Sequence, residues 1–353
     1  MTAELAVEFA DPTAPDPPAG WAELVRAAPL HPVWDWSLVR AVAAARNGAT
    51  VAAVVRDGDE VVALVHARLI GPGGTVADVE CPGSMSLPGV ALPGDLPPGL
   101  APGPHARLGA VAAAFEAALG RRRRVRAVSY RQVYAAALPA LARGVALVRR
   151  GDDVAVLRNR FGSYAEYLAT LPNKRRRDQG RLVRQTDGDA GVTVHFGPPP
   201  ERFDAAAFHE LAEQTDRRNH RRRFPPRRRW SLEFHAAQAA VPGARLLRYT
   251  AADGRLVGAT ITFDHPAAPL AGPWAALDPH EGGRSGIWYE HFARSLRWAI
   301  ESGRGGYIAG KGLMAQKAEL GFEAVPQFTV LRRLNAAGAG RATGAPPRSR
   351  ART

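Results

Sequence analysis

Two stretches of this sequence run through the same order of elements, and that duplication restricts the fold more than any single motif. In the first, Trp21 to Ala28 and Trp34 to Arg46 have helical spacing, the second with Trp34, Leu38 and Val42 on one face. Two β-branched runs follow, Thr50 to Arg56 and Val61 to Ile70, joined by Asp57-Gly58-Asp59-Glu60, a hairpin turn signal. A helix at Leu108 to Leu119, a strand at Val125 to Ser129, a helix at Ala135 to Ala142 and a strand at Val145 to Val148 complete it. In the second, helices at Ala205 to Asp216 and Leu232 to Ala240 precede strands Arg245 to Thr250 and Leu256 to Phe263, again joined by an Asp-Gly turn, Asp253-Gly254. A long helix with Trp288, Phe292, Leu296 and Ile300 on one face, a strand at Tyr307 to Ala309, a short helix and a last strand follow. The order predicts two copies of one α/β (α+β) unit, each a mixed twisted sheet flanked by helices. The main difference is a Pro/Gly-dense loop, Pro82 to Pro104, inserted in the first copy.

The predicted organisation is a loose Pro/Asp-rich N-terminus at 1–20, a first unit at 21–158, a second at 159–334, and a disordered basic tail at 335–353. The chain carries 47 basic against 33 acidic residues, a formal charge of +14, which favours an anionic partner. Two arginine clusters stand out. Asn173 to Gln185 places Arg177, Arg181 and Arg184 on one helix face, and Arg217 to Arg229 is broken by Pro225-Pro226. Each reads either as a solvated face or as a grip on phosphate. Only three lysines occur, Lys174, Lys311 and Lys317, so a lysine here points to a need for a compact ammonium. Cys81 is the single cysteine, which excludes an intramolecular disulfide and a cysteine-based zinc site. Without a signal sequence or a membrane-length apolar run, a cytoplasmic protein is the expectation.

The stretch from Trp274 to Phe328 holds the candidate chemistry. An apolar run ends at Asp278-Pro279, a glycine turn (Glu281 to Gly286) leads into the long helix, and a glycine-flanked strand leads to Lys311 and Lys317. Strand, glycine turn and helix together present backbone N–H groups to an anion at the positive end of a helix. Ser285 is placed to cap that helix and Arg284 to meet a phosphate.

The order Asp278-Pro279, glycines, Tyr289-Glu290, long helix, Gly310, then Lys317 four residues before Gly321-Phe322 resembles the C-terminal half of GNAT-superfamily acyltransferases of the FemAB-like type. This group includes peptidoglycan-biosynthesis-like and BioF2-like acetyltransferase domains. Tyr164 to Gly191 resembles the helix pair of the same family, so the likeness spans about residues 160–330. The resemblance implies tandem GNAT-like domains and transfer of an acyl group, from acetyl-CoA first, or of an aminoacyl group from tRNA, onto an amine. The acceptor would be a small molecule or a cell-wall precursor; acyl-CoA would be a co-substrate, with no permanently bound cofactor and no metal. It places Gly283, Arg284, Ser285, Gly286 and Lys311 at the coenzyme, although Gly282 to Gly286 has the composition of the superfamily's pyrophosphate loop and not its spacing. Tyr289, Glu290, Asp278 and Lys317 become the catalytic candidates, a glutamate to take the amine's proton and a tyrosine to give a proton to the leaving group. Glu290 also has a plainer reading, as the i,i+4 partner of Arg294 on a solvated face. Asp278 and His280, at a strand end, are alternative bases. A non-catalytic basic module that binds RNA or anionic lipid is the competing function, and the first copy is expected to be structural.

Overall fold

The computed structural model describes residues 5–334 apart from 29, 46–49, 85, 95–96, 98–99, 101–104, 123–124, 142–143 and 221–229. The tail at 335–353 and the centre of the second arginine cluster therefore lie outside the described residues. In the first half the elements are β1 (Ala6–Ala10), α1 (Trp21–Ala27), α2 (Trp36–Ala45), β2 (Thr50–Asp57), β3 (Glu60–Ile70), β4 (Val76–Val79), β5 (Val90–Ala91), α3 (His105–Arg122), β6 (Ala127–Tyr134), α4 (Leu138–Leu141) and β7 (Val145–Arg150). Then come β8 (Val154–Arg158), α5 (Tyr164–Thr170), α6 (Asn173–Asp187), β9 (Val192–Gly197), α7 (Ala205–His220), α8 (Leu232–Ala240), β10 (Ala244–Ala251), β11 (Leu256–Phe263), β12 (Leu270–Ala276), α9 (Ile287–Glu301), β13 (Gly306–Gly310), α10 (Met314–Ala318), β14 (Glu323–Val325) and β15 (Gln327–Arg333).

The duplication is real and extends beyond the predicted order. One sheet has the strand order β1-β2-β3-β4-β6-β15-β7, with β5 added to β3, and the other β9-β10-β11-β12-β13-β8-β14. Position by position, each has three antiparallel joins, one parallel join (β4 to β6, β12 to β13) and then two antiparallel ones. The N-terminal residues expected to be loose supply an edge strand, with Ala6 to Ala10 registered against Arg56 to Ala52. An extended β-branched neighbour completes hydrogen bonds that a Pro/Asp-rich composition does not forbid.

The sheets do not follow the predicted boundary between 158 and 159. Residues 154–158 leave the first half and insert between β13 and β14, while residues 327–333 return to fill the equivalent slot between β6 and β7. The halves have exchanged a strand. Val154, Val156 and Val330 are fully buried at these crossings, so each sheet draws part of its core from the other half.

One large apolar core joins the two sheets. It contains Trp21, Trp34 and Leu38 of the first half with Phe208, Phe234, Ile261 and Phe263 of the second. On the outer side of the second sheet, Phe292, Leu296 and Ile300 of α9 pack with Leu157, Tyr307 and Phe322, as the helical spacing predicts. The Pro/Gly loop wedges between the halves: a Cβ on Gly83 would lie 2.8 Å from the Phe234 ring. No helix among the described residues is long and apolar enough to cross a membrane.

Candidate functional site

The second sheet opens where β12 and β13 should pair. These parallel neighbours share one registered position, Leu270 with Ile308, and then part. In the first sheet the equivalent strands stay paired from Val76–Ala127 to Val79–Tyr130. The parting begins at an irregularity in β12, where the register to β11 shifts between Thr260 and Thr262. Gly272 sits in that bulge because a Cβ there would come 2.5 Å from the Ile261 carbonyl, and the next residue, Pro273, has no N–H to give to a ladder. The backbone of both strands beyond this point is released from mutual pairing, below the aromatic face of α9. There Trp274 stacks on His291 at 4.4 Å and Trp288 meets Phe292 edge-on at 5.0 Å. Burial drives the His291 imidazole down to about 3, so it packs as a neutral ring.

The glycine turn follows β12. Asp278 accepts from the His280 N–H at 3.0 Å through its side chain and from the Gly283 N–H at 2.9 Å through its carbonyl, so it shapes the turn. Gly282 is left-handed (φ 86°), and a Cβ on Gly283 would collide with the Leu277 carbonyl. The helix cap is not Ser285, as the sequence suggests, but Gly286 at φ 80° with no side-chain hydrogen bond. A left-handed glycine delivers the chain at an angle that carries the serine away from the first turn. Arg284 is not held out for a phosphate either: its guanidinium pairs with Asp189 at 2.7 Å.

Above this helix end lies α6. Leu182 sits against Gly286, where a Cβ would meet it at 2.6 Å. Arg294 of α9 holds Asp187 at 2.6 Å, Arg175 pairs with Glu319 just past α10, and the Arg175 guanidinium lies 4.3 Å over the Tyr289 ring. Tyr289 is thus committed to α6. The outer side of α6 leaves Lys174, Arg177, Arg181 and Arg184 exposed, as its spacing predicts. At the start of the second arginine cluster, Arg218 donates to the Ala276 carbonyl at 2.7 Å and lies 3.8 Å from Asp278.

Glu290 overturns its reading as a solvated partner. It does pair with Arg294, yet it is only 1% exposed and also accepts a hydrogen bond from the Tyr249 hydroxyl. Burial raises its carboxyl above the ordinary range, against the lowering pull of Tyr249 and Arg294. Tyr249 was not legible as a site residue; on β10 it simply occupies an inward position beside Leu247. Lys317 is 4% exposed, and its ammonium gives its three protons to the carbonyls of Ala309 (2.7 Å), Gly310 (3.1 Å) and Lys311 (3.2 Å). Burial lowers its pKa to about 8. It therefore fixes the turn at the end of β13 instead of facing a substrate. The expected residues are not gathered around one point: Asp278 and His280 stand at the end of β12, Lys311 in the turn after β13 with the ammonium of Lys317 reaching it from α10, and Glu290 on the far flank of α9.

Two sheets of one topology in tandem, only the second of them opened between its fourth and fifth strands, form a chain whose overall fold has counterparts among known structures. Over 77% of this chain and 81% of the other, it superposes on L-PGS from Bacillus licheniformis at 11% identity with a TM-score of 0.53. The C-terminal domain of a putative lysylphosphatidylglycerol synthetase from Agrobacterium fabrum gives 0.54 at 12% identity, over 84% and 87% of the two chains. FemX gives 0.53 at 12% identity, over 79% and 87%. The chain shares its fold with FemX and with these two lysylphosphatidylglycerol synthetase-type structures. No protein-family model and no curated protein matches the sequence. At this identity the shared fold fixes the architecture, and the chemistry has to be argued from the residues.

Proposed function

We propose that the protein transfers an acyl or aminoacyl group onto an amine, using the gap between β12 and β13 as the groove for the activated acyl chain. The observation that carries this reading is the parting of two parallel strands after a single registered pair, which leaves backbone donors facing an open slot. Such donors suit the oxyanion of a tetrahedral intermediate formed by direct attack of the amine on the acyl carbon. A covalent route through the only cysteine is disfavoured, since Cys81 is buried and burial raises its thiol well above the ordinary range. The proton of the attacking amine is assigned to His280, exposed at the end of β12 beside Asp278, and not to Glu290.

Acyl-CoA is the first donor in this reading. A specific observation favours a second, aminoacyl-tRNA: α6 covers the glycine-capped start of α9 where a pyrophosphate would sit, and its exposed lysine–arginine row suits a long polyanion. The test presents radiolabelled acetyl-CoA and charged tRNA in turn to the purified protein with a panel of amines, and measures binding of RNA and of anionic phosphatidylglycerol vesicles alongside. Label in an amine product with either donor supports the reading and selects the donor. Binding of RNA or vesicles that falls steeply with salt, without label transfer from either donor, would establish the non-catalytic basic module in its place.

A further inference from the structure

A second site lies on the other flank of α9. Between α6, β9, β10 and the first turns of α9 is a cavity of about 150 Å³, the size of an engineered core void that takes up benzene. Leu182, Val192 and Ile287 form apolar walls, Asp189 and Arg284 the rim, and Tyr249 and Glu290 the buried floor. The Trp274 ring lies edge-on to Tyr249 at 6.3 Å and stacks on His291 on its other side, so an indole stands between this cavity and the groove.

The donors around the floor are already spent. The Tyr249 hydroxyl and Arg294 Nε both donate to Glu290, a second Arg294 nitrogen donates to Asp187, and the Thr186 hydroxyl donates to the Leu182 carbonyl at 3.0 Å. The acceptors are not spent. A carboxylate offers about four acceptor positions, and Glu290 receives two hydrogen bonds. The charges lean the same way, with the carboxylates Asp187, Asp189 and Glu290 set against the guanidiniums Arg284 and Arg294. Gln185 and Ser285 at the mouth still offer donors, so it is the floor that calls for an occupant that is short, positively charged and rich in N–H groups.

We propose that this cavity binds a short primary ammonium of up to about six heavy atoms, at a site separate from the transfer groove. Its N–H groups would meet the free positions of Glu290 and the Tyr249 oxygen, and its alkyl part would lie against Leu182 and Ile287. Because α6 forms one wall and α9 the other, an occupant would fasten α6 over the start of α9.

The test is a titration of the full-length protein with n-propylammonium chloride, followed by melting temperature and calorimetry. Sodium chloride matches the ionic strength, and n-propanol and sodium propionate serve as the neutral and anionic counterparts. A saturable rise in melting temperature with the ammonium alone is expected, amounting to a hundredfold stabilisation when the ligand stands at about 100 times its Kd. Glu290→Gln should lose at least tenfold in affinity. Leu182→Trp, which fills the cavity from its wall, should abolish the response and covers the case in which the first variant does not fold. An equal response to propanol, the absence of any saturable response, or full affinity in the folded variants would overturn the proposal. The titration contains neither acyl donor nor acceptor, so it succeeds or fails independently of the transfer reaction.

Discussion

Replacing Lys317 by methionine separates two uses of a buried ammonium. Methionine keeps the length and apolar stem of the side chain and removes the three bonds to the carbonyls of Ala309, Gly310 and Lys311. Hydrogen bonds to a charged group contribute about 1.5–3 kcal/mol each, or roughly 4.5–9 kcal/mol together. Against this stands the cost of burying the ammonium. Burial moves its pKa from 10.5 to about 8, and at about 1.4 kcal/mol per unit this amounts to roughly 3.4 kcal/mol. The difference centres near 3 kcal/mol of lost stability, or about 4 °C in melting temperature for a chain of this size. The assay is thermal and urea unfolding of wild type and Lys317→Met at pH 7, with label transfer measured on the folded material. If the variant melts at or above the wild-type temperature while transfer collapses, the ammonium is reserved for substrate and the structural argument is wrong.

Three further outcomes follow from the same geometry. The Glu290 carboxyl is raised by burial, so the folded state holds its proton more tightly than the unfolded chain does; the stability it contributes is present below pH 4.5 and is lost as pH rises through the folded pKa. Glu290→Gln should therefore melt no lower than wild type at pH 7, with the advantage shrinking toward pH 4, and a lower melting temperature at pH 7 would contradict this. Burial lowers His31, His235 and His291 to about 3, 4 and 3, so the unfolded chain binds more protons below pH 6.5. Each then costs about 1.4 kcal/mol per pH unit, and melting should drop sharply between pH 6.5 and 5; an unchanged melting temperature would show that these rings titrate normally. A chain ending at Pro326 lacks β15, which lies between β6 and β7 with Val330 fully buried. Its first sheet should lose cooperative unfolding in calorimetry, and a full-amplitude transition at the wild-type temperature would refute the importance of the exchange.

What the sequence made legible was what short-range spacing controls. The helix at Leu232–Ala240 and the strand at Leu256–Phe263 lie where their patterns place them, and the i,i+4 pairing of Glu290 with Arg294 forms. Spacing does not say which surface covers a face. Glu290 looked solvated because Arg294 stands at i+4 from it, the usual spacing of a surface ion pair; α6 and Tyr249, 41 residues away, bury it. Of β12 only the apolar run from Trp274 was legible, because Gly272-Pro273 interrupts any strand pattern before it, although the same two residues make the bulge that opens the groove. The exchanged strands were hidden for a related reason. A run such as Val154–Arg158 looks the same whichever sheet receives it, and the choice rests on pairing with β13 and β14 far along the chain.

The exchange also gives the first copy work to do. Gln327, the first residue of β15, donates to the Ser86 carbonyl at 2.8 Å, and the Tyr134 hydroxyl donates to the same oxygen at 3.1 Å. On the other side of this loop, a Cβ on Gly310 would lie 3.5 Å from the Ser86 hydroxyl. The Pro/Gly loop of the first half is thus fastened by β6 and β15 and rests against the turn that Lys317 holds from within. That turn ends β13, one wall of the groove. A duplicated unit whose own parallel strands stay closed can still shape the open pair in its twin, because the returning strand ties its loop to the groove wall.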